Sequence, residues 1–112
     1  MKVYALKNCD TCRKATKALR EAGKEFDVVD VREDGLKTED IAKIVDAVGF
    51  ERALNRRSST WRALDNPDDG SVDNVRAVTL IDAHPLLLKR PAITDGETTT
   101  VGWDKAVEET WL

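Results

Sequence analysis

Hydrophobic and polar positions along this chain change period several times, and each change marks an element. Val3, Tyr4, Ala5 and Leu6 form a short apolar run that predicts a buried strand. From Lys7 to Gly23 the period becomes helical, with Ala15, Ala18, Leu19 and Ala22 on one face and Gly23 as a stop. Phe26 to Val31 alternates in part and carries Val28, Val29 and Val31, which predicts a second strand. Strand, helix, strand makes a right-handed parallel crossover the default connection. After the polar turn Arg32–Gly35, Thr38 is the expected N-cap of a helix whose first turn holds Glu39 and Asp40. Ile41, Ile44, Val45 and Val48 form its apolar stripe, and Gly49 ends it.

The pattern then breaks into short pieces. Phe50 to Leu54 reads as one or two helical turns, Asn55 to Ser58 as a loop, and Ser59 to Leu64 as a short helix with Trp61 and Leu64 inward. Asn66–Gly70 is a strong turn signal and Ser71 a cap for the next helix, whose face would comprise Val75, Ala77, Val78, Leu80 and Ile81 until Pro85 ends it. Ala92 to Thr94 and Glu97 to Val101, joined by Asp95-Gly96, predict a two-residue β-hairpin. A final helix carries Trp103, Val107 and Trp111 at i, i+4, i+8, a spacing that packs against a sheet. A parallel pair at the front and an antiparallel hairpin at the back can share one mixed sheet. The expected architecture is therefore α/β, a single thioredoxin-like domain over 1–112 with a helical insertion over about 36–84.

Composition narrows the class of protein without naming its chemistry. At 112 residues the chain has room for one domain and a core that needs no disulfide staples. A formal charge of -3 gives no general attraction to nucleic acid or to membranes. The start, Met1-Lys2-Val3-Tyr4, runs directly into a strand without the features of a signal peptide, and no apolar run reaches membrane-spanning length. Two cysteines in such a chain point to the cytoplasm, where a cysteine pair is more often catalytic or sensing than structural. A monomer is expected.

Chemistry concentrates at Cys9 and Cys12, a C-x-x-C at the mouth of the first helix. A helix N-terminus presents unpaired N–H groups and the positive end of the peptide dipoles, which favours an anion. Arg13 and Lys14 add cationic charge nearby, and surroundings of this kind lower cysteine pKa values. Cys9 is thereby the attacking thiol, and Cys12, one turn deeper, the resolving thiol. Half of a zinc site is an alternative reading, but there is no second cysteine pair and a single histidine, His84. A pair of half-buried cysteines acting as small hydrophobes fits poorly with Asn8, Asp10, Thr11, Arg13 and Lys14 around them. No metal is expected, and His84 reads as a helix-end or exposed residue.

Three stretches taken together, Asn8–Ala15, Leu54–Leu64 and His84–Pro91, resemble the arsenate reductase-like family, which includes the Spx redox regulators and YffB-type members. The resemblance implies a thioredoxin-type fold with a helical insertion and a nucleophile at Cys9. It matches Cys12 to the second cysteine of Spx-type members, Arg57 to a loop arginine of Spx and YffB-type members, and Arg90 to the arginine of an Arg-Pro pair. Pro91 is then a candidate cis proline, and Arg13, Arg57 and Arg90 are the residues expected to hold an anionic substrate. Two positions depart from the reductases, since Asn55 and Gly102 stand where arginines are placed there. Arg56 and Lys89 read as surface cations. The implied activity is thiol-dependent reduction of a disulfide, a glutathione mixed disulfide or an arsenate-type oxyanion. No bound cofactor is implied, and the electron donor would be glutathione, glutaredoxin or thioredoxin. The alternative is a redox-switched transcriptional regulator whose partner is an RNA polymerase subunit.

Overall fold

In the computed structural model, residues 1–64 and 72–112 are described. The chain opens with β1 (Lys2–Ala5), α1 (Asp10–Glu21) and β2 (Asp27–Asp30), and β1 and β2 run parallel with Val3 opposite Val28. Four helices follow, α2 (Thr38–Val48), α3 (Phe50–Ala53), α4 (Ser59–Ala63) and α5 (Asn74–Ala83). A 3₁₀ turn at Pro85–Leu87 leads into β3 (Ala92–Thr94), β4 (Thr99–Val101) and α6 (Lys105–Trp111). Spatial order in the sheet is β2-β1-β3-β4, with β3 antiparallel to both β1 and β4. This is the mixed thioredoxin-like sheet expected from the sequence.

Strand period two divides the core between the faces of the sheet. Val3, Ala5 and Ile93 pack with Cys12 and Leu19 of α1 and with Val107 and Trp111 of α6. Tyr4 and Ala92 join Ile41, Ile44 and Val45 of α2 and Ile81 of α5 on the opposite side. α1 ends in the paired bonds of a Schellman motif: Lys24 N–H donates to the Leu19 carbonyl and Gly23 N–H to that of Arg20, each at 3.0 Å. Gly23 takes φ +75°, the left-handed conformation this cap requires.

Several local expectations are corrected. Thr38 is the first residue of α2 rather than its cap; Lys37 holds that place without a side-chain bond, and the Thr38 hydroxyl donates to Asp82 of α5 at 2.8 Å. The Asn66–Gly70 turn and the Ser71 cap lie outside the described residues, and α5 is capped by Asp73, whose carboxylate accepts from Arg76 N–H. Val75 is 76 % exposed, because Ala77 and Ile81 carry the buried face of α5. Ala22 is the exposed C-cap of α1, and Trp103 precedes α6 instead of lying on it. The hairpin reverses one residue later than expected. Asp95 N–H donates to the Thr98 carbonyl, so Gly96 and Glu97 form the bend, with Gly96 at φ +97°. The Asp95 carboxylate, which accepts from Glu97 and Thr98 N–H, selects this register.

Asp30 ties the end of β2 to the loop that carries the cysteines. Its carboxylate accepts from the N–H groups of Glu33 (2.8 Å), Arg32 (2.9 Å) and Lys7 (3.2 Å), and Lys7 Nζ pairs with Glu33 at 2.7 Å. These bonds, led by that from Glu33, hold its carboxyl below the ordinary 3.8. No helix among the described residues is long and apolar enough to cross a membrane.

Two stability effects follow from these contacts. Leu19→Ala empties a fully buried site and should lower the unfolding free energy in denaturant titrations by about 2–5 kcal/mol, against at most about 0.5 kcal/mol for Val75→Ala. Asp30→Ala strips three N–H groups of their acceptor and should cost about 1–3 kcal/mol at neutral pH. Since the folded carboxyl titrates below its unfolded value, its contribution is complete above that value and lost as pH falls through the lowered one. Denaturation of wild type and Asp30→Ala should therefore converge in acid; a gap that persists unchanged there would contradict the assignment.

Candidate active site

Cys9 caps its own helix. With extended backbone at φ −112° and ψ 113°, it directs Sγ back over the first turn of α1, where it accepts the Cys12 N–H at 3.4 Å. Its carbonyl accepts from Arg13 N–H at 3.0 Å, while its own N–H donates to Leu6 at the end of β1. The buried strand and the helix thus fix this residue from both sides. An N-cap is normally an oxygen-bearing side chain because such atoms accept the orphan N–H groups. A thiol is a weak acceptor and a thiolate a strong one, so a cysteine placed here gains most when it is charged.

The two thiols are free, and their environments differ. Cys9 is half-buried and Cys12 is 2 % exposed. Burial alone would raise the Cys9 thiol. It is outweighed by hydrogen bonds from the Cys12 side chain and from the Cys12 and Thr11 N–H groups, and by the Arg90 charge, so Cys9 titrates below its ordinary value. Cys12 is pushed up to about 12, first by burial and then by its hydrogen bond to Cys9. One sulfur is favoured as the anion, and the other keeps its proton and donates it to the first.

Arg90 reaches this site from the loop before β3. Its peptide bond to Pro91 is cis. Nη1 donates to the Leu86 carbonyl at 2.9 Å, and the buried Nε has no hydrogen-bond partner among the described residues. A buried guanidinium N–H without an acceptor costs free energy unless an anion arrives to take it.

The other arginines sit differently. Arg13 pairs with Asp10 on the exposed face of α1 and borders a groove of about 470 Å³ with Lys7, Cys12, Arg20 and Asp30. Cys9 and Arg90 do not line that groove. Arg57 lies in the loop between α3 and α4, exposed, with its N–H donating to Asn55 Oδ1 at 3.2 Å. Asn55 is a structural residue of that loop: its N–H donates to Leu87 at 2.7 Å, and Lys89 N–H donates to Ala53 at 2.8 Å on either side of the Leu54–Leu88 bridge. Those bonds bring the Arg57 loop alongside Lys89 and Arg90. Arg56 is exposed, as expected, with its guanidinium 5.6 Å from the Trp61 ring and 6.0 Å from that of Phe50. His84 is the exposed C-cap of α5. Among the described residues no cluster of three or more His, Cys, Asp or Glu could hold a metal ion.

One residue that shapes the cysteine loop escaped the sequence reading. Asp30 was one more carboxylate on a polar face, although its position at the end of the Val28-Val29 run was a signal of burial. Lys89 read as a surface cation and is exposed, with its stem across Gly102 and Cε 3.4 Å from where a Cβ at that position would stand.

Comparison with known proteins identifies the family and the fold. An uncharacterized protein of Haemophilus influenzae is 35 % identical over 103 residues, covering 92 % of this chain and 90 % of that protein. The solved structure of a YffB protein superposes with a TM-score of 0.90 at 31 % identity, covering 99 % of this chain and 97 % of the other. The global transcriptional regulator Spx of Listeria innocua is 29 % identical over 92 % of this chain and 79 % of its own length. Residues 4–110 match the ArsC family, a span that takes in the cysteine-capped helix, the Arg57 loop and the Arg90–Pro91 corner alike, and the chain belongs to that family.

Proposed function

We propose that this protein is a thiol-dependent oxidoreductase in which Cys9 is the nucleophile. The observation that carries the reading is the sulfur acting as helix cap beside a half-buried arginine with an unpartnered N–H. The Cys9 thiolate attacks the glutathionyl sulfur of a mixed disulfide, forming a Cys9–glutathione disulfide and releasing the substrate thiolate, which takes a proton from water. Arg90 holds the negative charge of the incoming group near the reacting sulfur, and Arg57 and Arg13 face anionic partners from the rim.

Cys12 then gives up its proton and attacks Cys9 Sγ, so that glutathione leaves as a thiolate and the internal disulfide forms. Capping Cys9 removes the charge and hydrogen bond that help hold the Cys12 proton, which makes this second step easier than in the free enzyme. Two electrons from glutathione, glutaredoxin or thioredoxin restore the dithiol. An arsenate-type oxyanion could enter the same cycle by forming a thiol–arsenic bond at Cys9, but it needs several converging cationic donors. Arg90 is the one whose charge acts on Cys9, which favours disulfide substrates.

A second reading draws on the Spx relative. Closure of the Cys9–Cys12 pair would reshape the first turn of α1 and switch binding to RNA polymerase. Capture of polymerase subunits by the reduced or the oxidised protein, with no turnover of any disulfide, would favour it.

The rate of Cys9 alkylation against pH should inflect below the ordinary thiol value of 9.0, and Arg90→Ala should move the inflection upward. Loss of a charge-assisted hydrogen bond, about 1.5–3 kcal/mol, should lower kcat/KM for a glutathionylated peptide on the order of ten- to a hundredfold in that variant. An inflection at or above the ordinary value removes the basis for Cys9 as nucleophile. Cys9→Ser should abolish turnover, and Cys12→Ser should accumulate a Cys9–glutathione adduct visible by mass spectrometry. Modification mapping to Cys12 first would reverse the assigned roles.

A further inference from the structure

We infer that Asp30 is a positioning residue for Cys9, acting through the peptide unit between Leu6 and Lys7. The inference rests on the reading of Cys9 as nucleophile and goes beyond it by adding a residue from a strand that carries neither cysteine.

One peptide plane joins the two residues. The Leu6 carbonyl accepts Cys9 N–H at 3.2 Å, closing the turn that leads into α1, and Lys7 N–H on the same plane donates to Asp30 Oδ2 at 3.2 Å. A planar trans peptide points its C=O and N–H to opposite sides, so these two bonds fix the plane from both ends. The preceding plane is engaged as well, because Leu6 N–H donates to Cys12. Leu6 therefore touches both thiol-bearing residues, and the Asp30 carboxylate holds its carbonyl side from β2. An ionised acceptor on Lys7 N–H also polarises that peptide, which makes the Leu6 carbonyl a better acceptor for Cys9 N–H. Without the tie the plane is free to tilt, and Cys9 loses the backbone setting that keeps Sγ against Cys12 N–H at 3.4 Å.

Asp30 is itself held in place. It is 7 % exposed, its N–H donates to Asp34 Oδ2 at 2.9 Å, and its carbonyl accepts Asp34 N–H at 2.9 Å. The two carboxylate oxygens divide the work: Oδ1 accepts from Arg32 and Glu33 N–H and closes the turn after β2, whereas Oδ2 accepts from Lys7. This division provides a variant that separates the two roles. Asparagine has the same shape but a single acceptor oxygen. In Asp30→Asn that oxygen serves the two shorter turn bonds, and the amide NH2 is left facing Lys7 N–H, donor against donor.

The test is the pH dependence of iodoacetamide alkylation of the reduced full-length protein, mapped to Cys9 by mass spectrometry. Asp30→Asn should raise the inflection above that of wild type and keep the high-pH plateau. At neutral pH the reaction should slow about threefold to tenfold, the range of one lost hydrogen bond. Loss of an anion acts by direct charge in the opposite direction, so an upward shift reports positioning. Ile81→Ala, which empties a buried site on the opposite face of the sheet, should lose stability and keep the wild-type inflection. An equal rise in Ile81→Ala would mark general loosening and overturn the inference. A lowered inflection shared by wild type and Asp30→Asn overturns it alone, whereas a wild-type inflection at or above the ordinary 9.0 overturns the nucleophile reading and the inference with it.

Discussion

A sulfur atom in the place of a helix cap is the constraint on which this structure turns. Cys9 terminates the orphan N–H groups of α1, and it does so best as an anion. The requirement propagates outward, because an anion at that point needs a cation nearby, and Arg90 arrives from a segment more than 75 residues further along the chain. It also needs a donor beneath it, which the buried Cys12 thiol supplies. Local helix physics creates the demand, and long-range topology meets it.

The sheet explains why Arg90 is available. β3 lies beside β1, so the segment that enters β3 must pass the end of the strand from which Cys9 emerges. Asp30 performs the complementary task on the other flank, accepting Lys7 N–H to hold the cysteine loop to the end of β2 while Arg32 and Glu33 N–H close the turn around its carboxylate. The cysteine loop is thus held between the parallel crossover and the hairpin strand. Four helices between β2 and β3 bury the opposite face of the sheet and, through the Leu54–Leu88 bridge, carry the Arg57 loop to the Arg90 corner.

Charge around the thiols is graded rather than massed. Arg90 is half-buried beside the sulfurs, Lys89 crosses Gly102 at the rim, Arg57 is exposed on its loop, and Arg13 is already paired with Asp10. Exposed charges act weakly and are screened, while a half-buried one beside a thiolate acts strongly.

What the residues alone determined was local and periodic. The strand–cysteine–helix unit, the Ile41–Val45 stripe, the Gly23 and Gly49 stops and the end of α5 before Pro85 all follow from interactions within a few residues of each other. Local reading failed where a partner came from elsewhere, as where Thr38 turns to Asp82, and where one of two local options won: Ala77 and Ile81 take the buried face of α5 and leave Val75 outside, and the Asp95 carboxylate bonds its own turn and moves the hairpin bend by one residue. The inequality of the two thiols was legible at Cys9, because helix geometry creates it. The identity of the cation that acts on them, the clamp at Asp30 and the seat of Lys89 over Gly102 were decided by tertiary structure. Each depends on which strand ends lie side by side, and sheet order is a property of the whole chain rather than of any stretch of it.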